Sequence, residues 1–100
     1  MNSDGAPSMA GFRDAVDTAF EVGAGGAPLG RMTLLEVSVT DRGPGWECFA
    51  LLFAGPRPAL PQATYAVESA ALGSFSLFLV PVVSPPDRQH YEAVFNRPTS

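Results

Sequence analysis

The segment Ser74-Phe75-Ser76-Leu77-Phe78-Leu79-Val80-Pro81-Val82 carries the strongest structural signal in the sequence. Alternate side chains of an extended strand point to opposite faces, and both alternating sets contain large apolar residues here. One set is Phe75, Leu77 and Leu79, and the other is Phe78, Val80 and Val82. The pattern predicts a β-strand that packs one face into a core and carries a second apolar face from which water must also be kept.

Five further segments carry short apolar or alternating runs between turn-forming residues, which is the signal for short strands. The six predicted strands are residues 18–22, 31–40, 46–54, 62–69, 74–82 and 90–96. They predict an all-β fold, a six-stranded antiparallel meander that closes into a small barrel or a two-layer sandwich, because closure protects strand edges. In the second strand the alternation slips at Leu34 and Leu35, which predicts a β-bulge there.

The chain has room for one domain, and no internal repeat divides it. A short N-terminal helical turn is predicted over residues 12–16, with Phe12 and Val16 on one side. Breaks in regular structure are predicted at the Gly- and Pro-rich segments 23–28, 41–45, 55–58 and 84–87. The predicted organisation is a flexible N-terminal arm at 1–11, a single β domain at 12–97 and a tail at 98–100.

The charge balance excludes several classes of partner. Six arginines, no lysine and ten carboxylates give the chain a net charge of −4, and no basic stripe is present, so neither nucleic acid nor an anionic membrane is an expected partner. Neither a secretory signal nor the run of about 20 apolar residues that a membrane helix needs is visible. The sequence predicts a cytoplasmic protein by default, with signal-independent export left open, and the single Cys48 cannot form an intramolecular disulfide.

No set of catalytic, cofactor-binding or metal-ligating residues is predicted. Cys48 and His90 are the only residues of their kinds, and a thiol nucleophile needs a base beside it, yet nothing in the pattern places the two together. Asp14 and Asp17 lack the paired spacing of a metal site. The glycine run 23–26 lacks the third glycine of a dinucleotide fingerprint. We therefore expect a buried thiol, a surface imidazole, and no cofactor or metal.

The second apolar face is the feature that bears most on function. A small barrel buries only one face of each strand, so apolar side chains that point outward need another cover. Either Phe12 and Val16 of the leading turn fold over them, or a partner surface covers them. The predicted interaction surface consists of Leu52, Phe78, Val80 and Val82.

The second half of the chain also resembles a known family. The resemblance is carried by Phe49-x-Leu51-Leu52-Phe53-x-Gly55-Pro56, Leu60-Pro61-Gln62-x-Thr64-Tyr65-x-Val67-Glu68, Leu72-Gly73-x-Phe75-x-Leu77-Phe78-Leu79-Val80-Pro81-Val82 and Tyr91-Glu92-Ala93-Val94-Phe95-Asn96. These segments are similar to a family of small bacterial β-rich domains of unknown function, over about residues 12–96. The resemblance implies the β fold and supplies no catalytic motif.

The expected function is that of a non-catalytic structural or protein-interaction module. It would associate with itself or belong to a larger bacterial assembly, such as a phage-tail-like or secreted one, by analogy of fold alone. The alternative is a barrel that binds a small molecule or carbohydrate, with aromatic side chains around a cavity and Arg57 or Gln62 at its rim. An enzyme would require Cys48 and His90 to lie within hydrogen-bonding distance.

Overall fold

The computed structural model describes residues 7–40, 45–83 and 88–98. It contains one short helix and six strands, namely α1 (Met9–Asp14), β1 (Ala19–Ala24), β2 (Ala27–Thr40), β3 (Trp46–Gly55), β4 (Ala63–Ser69), β5 (Gly73–Val82) and β6 (Gln89–Pro98). Some predicted segments fall outside the described residues: 1–6 of the arm, 41–44 of the turn, the loop at 84–87 and 99–100 of the tail.

The six strands form a closed antiparallel barrel in the order β1-β2-β3-β6-β5-β4. This confirms the predicted all-β barrel. The prediction of a continuous meander is wrong at one connection, because β3 pairs with β6 and β1 pairs with β4. Residues 56–62 between β3 and β4 include three prolines, which lack the N–H donor and fix φ. Such a segment does not form a tight hairpin and leads the chain across one end of the barrel.

The first hairpin is longer than predicted. The segment 23–28 does not end regular structure, since β1 reaches Ala24 and β2 begins at Ala27. Gly25 and Gly26, with φ of +57° and +82°, make the tight turn between them, as two-residue hairpin turns require. The register of β2 against β3 shifts between Leu34 and Glu36, which confirms the predicted bulge.

The barrel interior is filled by the inward set of side chains from every strand. Aromatic rings meet edge to face inside it, as between Phe20 and Phe53 with centroids 5.3 Å apart, an arrangement that adds to the stabilisation from burial. The buried strand residues include Phe20, Val22, Met32, Leu34, Phe49, Leu51, Phe53, Tyr65, Val67, Phe75, Leu77, Leu79, Tyr91 and Ala93. Most of the aromatic residues are therefore core residues, as expected for alternating strands.

Helix α1 closes one end of the barrel. Ser8 caps it, and its hydroxyl accepts a hydrogen bond from the Gly11 N–H at 3.0 Å. The Phe12 side chain is fully buried, with ring centroids 5.7 Å from Phe75 and 5.6 Å from Phe95. The helix thus begins at Met9, inside the predicted arm. The first of the two alternatives for the second apolar face is not realised, because the Phe12 ring completes the interior and Val16 also packs against the core.

The connection between β3 and β4 closes the opposite end. The Tyr91 hydroxyl donates to the Pro56 carbonyl at 2.7 Å and accepts from the Leu60 N–H at 2.9 Å. The Tyr65 hydroxyl donates to the Pro61 carbonyl. Two core tyrosines thereby hold a segment that lacks regular backbone pairing. Segments of the chain thus pack over both ends of the barrel.

Candidate functional site

The outward side chains of β5, β6 and β3 lie side by side. Val80 is directly opposite Glu92, and Glu92 is directly opposite Leu52. In the neighbouring row Val82 is opposite His90. The outer apolar face, as we name it, consists of Ala50, Leu52, Phe78, Val80, Val82 and Val94.

Two members of the outer apolar face are strongly exposed. Phe78 has 51% of its surface exposed and Val94 has 68%, whereas Leu52, Val80 and Val82 are half-buried by their neighbours. The four residues of the predicted surface therefore lie on one face, although their role in association stays a prediction. The predicted interaction surface does not include Val94. Alternation with the inward residues of β6 was the signal that could have identified it.

The pairing of β5 with β6 is short. Among the described residues, Val80–Val82 of β5 are the ones that pair with β6, whereas β3 pairs with β6 at ten positions. Phe78 and Val94 are the next outward residues along the two strands, and the described pairing has stopped at their level. The two most exposed members of the face therefore flank the place where the two strands part.

A carboxylate lies at the centre of the outer apolar face. Glu92 is half-buried and has Val80 and Leu52 opposite it on the two neighbouring strands. Along β6, the outward residues on either side are His90 and Val94. Among the side chains described in residues 7–39, 45–83 and 88–96, the Glu92 carboxylate has neither a hydrogen bond nor an ion pair. The face therefore combines apolar contact area with one negative charge.

The structure separates Cys48 from His90. The buried Cys48 thiol donates to the Asn96 side-chain oxygen at 3.2 Å. His90, which is half-buried rather than fully on the surface, pairs with Ala54. Because the strand rises about 3.3 Å per residue, six positions along β3 place the two side chains about 20 Å apart. The thiol and imidazole that the enzyme alternative needs together do not meet.

A comparison with family models identifies the relatives of this fold. A family model described as a domain of unknown function, DUF6916, matches residues 7–95. The chain belongs to the DUF6916 family. No curated protein and no solved structure matches the chain. The matched residues of the DUF6916 domain take in α1, all of β1 to β5 and most of β6, so nearly all of the barrel and the whole outer apolar face lie inside the matched region.

The small-molecule alternative expects aromatic side chains around a cavity, with Arg57 or Gln62 at its rim. Aromatic rings occupy the interior, and Arg57 and Gln62 lie exposed on the closing connection. An open groove of about 360 Å³ lies elsewhere, between the β1–β2 hairpin and the outer side of β4 and β5.

Among the described residues no three potential metal ligands come together. No described helix has the length and apolarity that crossing a bilayer requires.

The groove of the DUF6916 domain holds two carboxylates that face each other. Glu21 is directly opposite Glu68 across β1 and β4, and Arg31 neutralises only Glu21, at 2.7 Å. Like charges in directly opposed positions destabilise a sheet. Replacing Glu68 with lysine is expected to raise the free energy of unfolding by about 0.2–1 kcal/mol, measured by urea denaturation at low salt.

Glu68→Gln is the matched control for that substitution, because it removes the repulsion without adding an attraction. It should show part of the same gain, and high salt should shrink both effects by screening. A lower free energy of unfolding in Glu68→Lys would show that the repulsion between Glu21 and Glu68 is unimportant.

Proposed function

We propose that the domain works by association, through its outer apolar face, with a second copy or with another component of a larger assembly. The observation that carries the proposal is the exposure of Phe78 and Val94 beside the half-buried Leu52 and Val80. Contiguous exposed apolar surface marks protein contacts in soluble domains. Helix α1 does not cover it, because Phe12 packs in the interior. In this proposal the domain has no catalytic role.

The setting we propose is a bacterial assembly, phage-tail-like or secreted, with the domain made in the cytoplasm. What supports this setting is analogy of fold, since compact β modules suit repeated packing in such assemblies. The chemistry of the face supports association.

Replacing Phe78 with glutamate tests the proposal. Because half of the Phe78 surface is exposed, the variant should still fold, with a free energy of unfolding lowered by about 1 kcal/mol for the apolar burial that is lost. Its association should be abolished, because a charge would enter a desolvated contact. The measurements are sedimentation velocity for self-association and quantitative co-purification from the producing cell, with circular dichroism to check the fold.

Leu29→Glu is the matched control, since Leu29 is also an exposed large apolar residue, at 40%, and lies on the β1–β2 hairpin away from the face. It should retain association. If Phe78→Glu unfolds the chain, Phe78 is a core residue. If Phe78→Glu folds and associates as the wild type does, the proposed function is wrong.

A further inference from the structure

We infer that the outer apolar face receives a protein segment that presents an arginine among apolar side chains, and that Glu92 is its ionic anchor. This inference rests on the proposed function and names the chemistry of the partner. Phe78, Val80, Val94 and Leu52 supply the apolar contacts around the anchor.

The described face has no cation of its own for Glu92. The outward side chains of β5 include no arginine, and Glu36 of β2, opposite Leu52, adds a second carboxylate to the same row. Arg31 is bound to Glu21. Arg88 precedes Glu92 by four residues, which corresponds to about 13 Å along an extended chain. The charge at the centre of the face is therefore left for a partner to neutralise.

If a purely apolar partner buried the face, the Glu92 carboxylate would lose its hydrogen bonds to water and gain no donor in their place. A buried charge without a partner opposes binding strongly, so the partner must bring a donor to this point. Arginine fits best, because its planar guanidinium binds a carboxylate with two hydrogen bonds and is weakly hydrated. Its aliphatic stem can lie along Val80 and Leu52 while the head reaches Glu92.

A second copy of the chain is a poor occupant for the same reason. A two-fold contact is isologous, so each residue of the patch meets the same patch of the other copy. A two-fold contact centred on Glu92 would enclose the Glu92 carboxylates of both copies, and Glu36 in the same row would add to the repulsion. Juxtaposed like charges suppress such pairings. The face is therefore fitted to a different, positively charged surface.

The test uses the full chain labelled with ¹⁵N and two short synthetic peptides. One peptide carries a single arginine flanked by valine and leucine, and the other carries glutamine in place of the arginine. The arginine peptide should shift the amide resonances of Leu52, Val80 and Val94. Its dissociation constant should rise about tenfold or more in Glu92→Gln, as expected for loss of a charged hydrogen-bonded pair. Glu68→Gln, a carboxylate removed outside the face, should bind as the wild type does.

Sedimentation velocity tests whether a second copy of the chain can occupy the outer apolar face. Glu92→Leu, which leaves the face apolar throughout, should self-associate at concentrations at which the wild type does not. The inference is overturned if the arginine peptide produces no shifts at millimolar concentration, if the two peptides bind equally, or if Glu92→Gln binds unchanged. It is also overturned if the wild type self-associates through this face and Glu92→Leu self-associates no more strongly. If Phe78→Glu still abolishes association in those cases, the proposed function stands and only the arginine partner is wrong.

Discussion

Replacing Phe12 with alanine is expected to lower the free energy of unfolding by about 3–5 kcal/mol, the usual cost of removing a buried phenylalanine ring. Phe12 has none of its surface exposed. It lies between Phe75 of β5 and Phe95 of β6, outside the short paired region of those strands. Alanine would leave a cavity at a place where β5 and β6 are joined by side-chain packing and not by backbone hydrogen bonds. A loss of this size is a large share of the stability of a domain of this length, and urea denaturation measures it.

Arg13→Ala is the control, because Arg13 is the next residue of the same helix and is exposed. Its free energy of unfolding should stay within about 0.5 kcal/mol of the wild type. If Phe12→Ala were as mild as Arg13→Ala, α1 would not be closing the barrel.

Replacing Tyr91 with phenylalanine is expected to cost about 1–3 kcal/mol, even though the ring is kept. The hydroxyl bridges the Pro56 carbonyl and the Leu60 N–H, and its removal leaves both partly buried groups without this partner. The connection 56–62 should loosen while the strands remain paired. Urea denaturation gives the stability change, and hydrogen exchange at the Leu60 amide should quicken.

Tyr65→Phe provides the comparison, since its hydroxyl makes one described hydrogen bond, to the Pro61 carbonyl. It should cost less than Tyr91→Phe and leave exchange at the Leu60 amide nearly unchanged. Equal stability losses in the two variants, with equal protection of the Leu60 amide, would refute the bridging role of Tyr91.

Local patterns predicted much of the fold because they report burial directly. Alternation placed all six strands, and the slip at Leu34 and Leu35 located the bulge. The helix begins at Met9, three residues before the predicted turn at 12–16, and Ser8, a good capping residue, is the sequence signal for that start. The pairing of β3 with β6 could not be predicted in this way, because the choice of neighbour is made by packing between strands distant in sequence and not by either strand alone.

For the candidate site, too, alternation predicts which way each side chain points but not which strands are neighbours. Alternation shows that Leu52, Phe78 and Val80 each point away from the core. It does not show that β6 lies between β3 and β5, which brings these residues onto one face. The central position of Glu92 depends on two registers at once, opposite Val80 on one side and Leu52 on the other. Because β3, β5 and β6 are separated along the sequence, this arrangement is visible only in the folded barrel.

The late position of β6 in the chain has a consequence during synthesis. β3 finds its ten-residue partner only when Gln89–Pro98 has left the ribosome, since translation proceeds from the N-terminus. Until then β3 is an edge strand with open backbone groups and apolar residues on both faces, a hazard for unwanted strand pairing. Contacts between such distant segments also slow folding. The exposed edge of β3 therefore makes the chain most prone to aggregation before β6 pairs with it.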